Sequence, residues 1–235
     1  MKHLKLFENF NKSEIDDICK KYGIRNYIIN PDGSIDVDGD INLVNINLIK
    51  LPLKFNIVSG EFDCRGNKLT SLEGCPKEVG GDFSCYANQL TSLEGCPKEV
   101  GGYFDCANNQ LTSLIGCPKE VGGYFSCTTN QLTSLEGGPS KVGGSFYCQR
   151  NKLISLDGHP EEIGSSRWYY NNPISPIIDL FDDIKIYLEY QETYKFLRKD
   201  CKIVKHLLDD ALKDYNEYYN KNVELPKKIK GFWLT

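Results

Sequence analysis

The chain has 235 residues, with 28 Lys and Arg against 32 Asp and Glu, a formal net charge of −4 and a pI near 5.5. That acidic balance argues against a general nucleic-acid binder, which carries a basic patch or stripe. No apolar run of about 18 residues is present, so no membrane span is expected. The opening stretch MKHLKLFENFNKSE lacks the apolar core of a signal peptide, and a cytoplasmic protein is expected.

Residues 1–38 read as an N-terminal cap of one helix and one β-hairpin. The spacing predicts a helix over 14–22, with Ile15, Ile18 and Cys19 on one face. Ser13 can cap its start, with Asp16 three residues on, and Gly23 supplies the stop. YIINPDGSIDV then reads as two strands joined by an N-P-D-G turn. Asp36, Asp38 and Asp40 resemble half of a calcium loop, but Ile41 stands where that loop needs a glycine. Strand alternation instead puts the three carboxylates on a solvent face and Ile35, Val37 and Ile41 inward. Helix and hairpin are expected to cover the open edge of the next domain.

Residues 39–177 are organised by a repeat. From Gly60 to Gly164 one unit, beginning GEFDCRGNKLTSLEGCPKEVG, is written five times without a gap. A weaker copy spans 39–59 and a broken one 165–177. Phe62, Phe83, Phe104, Phe125 and Phe146 form one column; Cys64, Cys85, Cys106, Cys127 and Cys148 form another two residues on. That spacing puts both on one face of a short strand. Asn67, Asn88, Asn109, Asn130 and Asn151 follow where the chain must turn, and a buried Asn can satisfy backbone groups there. Two Leu columns (Leu69 and Leu72 onward) and a Val column (Val79, Val100, Val121, Val142, Ile163) close the coil. Pro76, Pro97 and Pro118 make the side leading to Val extended rather than helical. Stacked coils then give a parallel sheet with one short strand per coil, its strands about 4.8 Å apart. In the first coil Ile41, Leu43, Ile46, Leu48, Leu51 and Val58 are expected to fill the columns. In the last, Arg167 and Tyr169 replace Phe and Cys, while Asn172, Ile174 and Ile177 keep the Asn and Leu columns.

The pattern N-x-L-T-S-L-x-x-x-P-x-x-V-x-x-x-F-x-C resembles the short leucine-rich repeats of bacterial proteins and of bacteriophages and other viruses. The resemblance covers residues 39–177 and implies an α/β solenoid: short parallel strands on the concave face, extended convex segments and a cap at each end. It also implies a binding scaffold, and a phage or viral source. Secreted bacterial effectors with such repeats add a ligase domain, for which no segment here is long enough.

Residues 178–235 are expected to form a helical C-terminal cap and tail, helical over much of 176–220 from Pro176 onward. In CKIVKHLLDDALKDYNEYY, Val204, Leu207, Leu208, Ala211, Leu212, Tyr215 and Tyr219 lie on one stripe. That stripe either caps the last coil or binds a partner. Phe232, Trp233 and Leu234 in the tail either dock or stand exposed as a linear motif.

The ten cysteines include no C-x-x-C pair, and those of the strand column point the same way, coil after coil. Such a cysteine ladder reads as buried structural thiols in a reducing compartment, with a metal or disulfide ladder as the alternative. No metal and no cofactor is implied. The strand residues flanking Phe and Cys face outward. Asp63, Asp82, Tyr86, Tyr103, Asp105, Tyr124, Tyr147, Trp168 and Tyr170 are the candidate partner-binding residues among them, acidic in the early coils and aromatic in the late ones. Tyr is also simply a good strand residue. Catalysis has no constellation: Cys201 and His206 lie on one predicted helix without a third group to orient them. A non-catalytic protein-binding scaffold with an unidentified protein partner is expected. Self-association or assembly into a larger particle through the caps is the alternative.

Overall fold

Each repeat lays down two short strands, and stacking turns them into two parallel sheets. The computed structural model describes residues 10–181, 186, 187, 189, 191, 197, 202, 203, 205–225, 233 and 234. The first sheet, here the Phe sheet, has seven strands: Ile41–Asn42, Phe62–Asp63, Phe83–Ser84, Phe104–Asp105, Phe125–Ser126, Phe146–Tyr147 and Arg167–Trp168. They stack in register, Phe upon Phe, and Arg167 pairs with Phe146 at the end. The second, the Val sheet, has eight strands. The antiparallel hairpin Tyr27–Ile29 and Ile35–Val37 leads into Phe55–Val58, Glu78–Val79, Glu99–Val100, Glu120–Val121, Lys141–Val142 and Glu162–Ile163. The result is a β-solenoid with a few helices.

The second ladder corrects the expectation of one strand per coil. An extended segment leaves backbone groups that must find partners when buried. Here the neighbouring coil supplies them: Lys77 N donates to Asn56 O at 2.7 Å, Gly80 N to Val58 O at 2.9 Å, and Gly101 N to Val79 O at 3.0 Å. Proline sits one residue before the first of these donors, so its missing N–H costs the ladder nothing. The Gly pairs permit the close approach. A Cβ on Gly122 would run into the carbonyl of Gly101 directly beneath it.

The core lies between the sheets. Phe104 and Phe125 stack at 5.4 Å between centroids, Phe125 and Phe146 at 5.6 Å, and Phe62, Phe83 and Phe104 continue the column. The Cys and Leu columns of the repeats are buried beside them. All nine cysteines among the described residues are free. Thiols in the stack donate weakly to carbonyls of the next coil, as Cys106 does to Ser126 O at 3.2 Å. Burial pushes the thiols up, Cys148 to about 12, so they are inert structural groups at neutral pH.

The Asn column works as the sequence suggests. Asn109 Nδ2 donates to Cys85 O and Cys106 O, both at 3.1 Å, and its Oδ1 accepts from Leu90 N at 3.0 Å. Asn88, Asn130 and Asn151 repeat this pattern. The residue just before each ladder Asn is left-handed, including Ala87 (φ 52°) and Thr129 (φ 55°). That conformation costs an ordinary L-residue about 1–2 kcal/mol. The three Asn bonds across the turn hold it in place.

At the N-terminal end the helix spans Lys12–Tyr22. Its cap is Asn11, not Ser13. Asn11 Oδ1 accepts from Glu14 N at 3.0 Å, and Glu14 returns the bond to Asn11 N at 2.9 Å. Glu14 can reach back around the turn, and that reciprocal pair fixes the start two residues earlier. Gly23 ends the helix with φ 69°, as expected. Ile15 and Cys19 are buried in the same core as the coils. The three carboxylates tie the hairpin to the stack: Asp36 accepts from Asn56 Nδ2 at 2.8 Å, Asp38 from Ser59 Oγ at 2.9 Å and Asp40 from Glu61 N at 2.8 Å. Ile46 does not fill the Asn column; it is 43% exposed. Asn67 of the next coil takes the Ile46 N–H instead, at 3.1 Å, and the apolar side chain turns out.

After the last coil a short helix, Ser175–Ile178, places Pro176 in its first turn and buries Ile177 and Ile178. The longer helix is Lys205–Tyr219, with Leu208, Ala211, Leu212 and Tyr215 buried and Tyr219 36% exposed. It starts later than the sequence suggests, because Lys202–Ile203 forms a strand parallel to Trp233–Leu234. The tail backbone is therefore docked at those two residues. Val204, Cys201 and Phe232 lie outside the described residues. No helix among the described residues is long and apolar enough to cross a membrane.

Candidate functional site: the outer face of the Phe sheet

Strand alternation sends Phe inward and its neighbours outward, so three outward columns run along the Phe sheet. The first is Glu61, Asp82, Tyr103, Tyr124, Ser145 and Ser166; the second is Asp63, Ser84, Asp105, Ser126, Tyr147 and Trp168; the third is Arg65, Tyr86, Ala107, Thr128, Gln149 and Tyr170. The structure brings all nine candidate residues onto this one face. They are not equally exposed. Tyr86, Trp168 and Tyr170 stand out, at 37%, 45% and 44%. Asp63 is sunk to 5%, while Asp105 is partly buried.

The middle column forms a floor. Asp63 Oδ1 accepts from Arg65 N at 3.0 Å, and Oδ2 pairs with Arg65 Nε at 3.2 Å. Asp105 Oδ1 accepts from Ala107 N at 3.0 Å. Ser84 and Ser126 between and beyond them are buried and small. Tyr103 and Tyr124 form a flat wall, their rings parallel within 9° at 4.5 Å. Tyr147 meets Tyr124 edge-on at 5.9 Å, and Trp168 meets Tyr170 edge-on at 6.1 Å. Tyr103 OH reaches Glu61 Oε1 at 3.5 Å, and Asp82 Oδ1 accepts from Tyr103 N at 2.8 Å.

The electrostatics are those of a negative face. Desolvation raises the Glu61 carboxyl, with Asp63, Asp82 and Asp40 adding repulsion. Desolvation also raises Asp105 against its hydrogen bonds to Ala107 and Ser126. Burial, then Glu61, pushes Tyr103 up to about 12. His206 is exposed on its helix. His159 is packed edge-on to Phe146 at 5.9 Å, its Nε2 buried with no hydrogen-bond partner among the described residues. Burial, then Arg167, lowers its pKa to about 4.

A groove of about 1170 Å³ crosses the outside of the Val sheet, between Ile57, Ile115, Lys98 and Lys141. The sequence reading missed it with the second sheet. Its outward column is Glu78, Glu99, Glu120, Lys141 and Glu162, nearly the same in every coil. Gln149 stands on the same face in the third column, outside the candidate set, and its Oε1 is buried with no hydrogen-bond partner among the described residues. No family model, no curated protein and no solved structure matches this chain.

Proposed function

We propose that the protein is a non-catalytic, cytoplasmic protein-interaction scaffold of the short leucine-rich-repeat kind, phage- or virus-encoded, which binds a partner protein through the outer face of its Phe sheet. The terminal helices and hairpin act as caps on the stack. The observation that carries this reading is a contrast between outward columns. On the Val sheet they repeat; on the Phe sheet they change from acidic to aromatic, with Trp168 and Tyr170 exposed at the end. Aromatic anchors of this kind dominate protein interfaces, and repeat arrays bind through such extended surfaces. A second reading, assembly end to end, draws on the edge strands Ile41–Asn42 and Arg167–Trp168, each paired on one side only in the Phe sheet.

The test is affinity capture from a lysate of the native host with three baits of equal folding by size exclusion. The baits are wild type, Tyr103→Ala/Tyr124→Ala/Trp168→Ala, and Glu78→Ala/Glu99→Ala/Glu120→Ala on the other sheet. The reading predicts a partner lost with the aromatic variant alone. Retention by the aromatic variant overturns it, and a defined oligomer with no partner favours end-to-end assembly.

A further inference from the structure

We draw no further inference here: the strongest candidate, the groove outside the Val sheet between Ile57 and Ile115, is edged by glutamates and lysines in equal number, and nothing among the described residues shows what covers it.

Discussion

The two sheets of the solenoid are built from one repeat and differ in what they show to solvent. Inward, both are monotonous: Phe and Cys on one, Val on the other, all buried. Outward, the Val sheet repeats Glu78, Glu99 and Glu120 over a glycine floor, whereas the Phe sheet changes residue at almost every coil. A repeat that only had to stack would have no reason to vary on one face and not on the other. The monotonous columns therefore carry stability, and the varied ones are free to carry recognition.

The strongest way to break that division is to attack an inward polar column. Asn109→Ala strands the buried Leu90 N–H, while Cys85 O and Cys106 O each keep one donor, from Asn88 and Asn130; an unsatisfied buried group costs about 1–3 kcal/mol. The variant should lose about 1–3 kcal/mol in urea unfolding, more than the loss for Glu99→Ala on the outer Val face, expected within about 0.5 kcal/mol. Comparable losses would show that inward and outward positions are not distinct.

A pH-dependent effect sharpens the same contrast at the turn into the last Val strand. His159 stands where Cys75, Cys96 and Cys117 stand in earlier coils. Its pKa is lowered to about 4 by burial, then by Arg167. Between its ordinary value of about 6.5 and 4, the unfolded chain takes up a proton that the folded chain does not. The contribution is therefore complete above the unfolded value and is lost as pH falls through that window, by about 2–3 kcal/mol. His159→Cys should remove this loss, so the stability difference between variant and wild type should widen from pH 7 to pH 4. A pH-independent difference would contradict the buried, neutral imidazole.

Much of this was legible in the residues, and the reasons differ by element. Phe, Cys, Asn and Leu recur at fixed spacing, so their burial followed from the period alone. The second sheet was not legible. Glu-Val and Lys-Val strands are two residues long, too short for alternation to show, and a preceding proline reads as a break in pairing. The strand at Lys202–Ile203 depends on Trp233–Leu234, some thirty positions on, and no local signal announces a partner at that distance. The face itself could be written from alternation. The burial of Asp63 could not, because it depends on Arg65 folding over it and on larger side chains in the flanking columns. The absence of a flanking arginine at Asp105 has a sequence signal: the repeat keeps Asp and replaces Arg65 by Ala107.

The most direct test of two ladders from one repeat is amide hydrogen exchange followed residue by residue. Donors of the Phe sheet such as Phe83 and Cys85, and donors of the Val sheet such as Lys98, Gly101 and Gly122, should be protected together and exchange only by opening of the stack. Fast exchange at Lys98, Gly101 and Gly122 beside slow exchange at Phe83 and Cys85 would contradict the account. It would leave a single-sheet coil with an unpaired outer side.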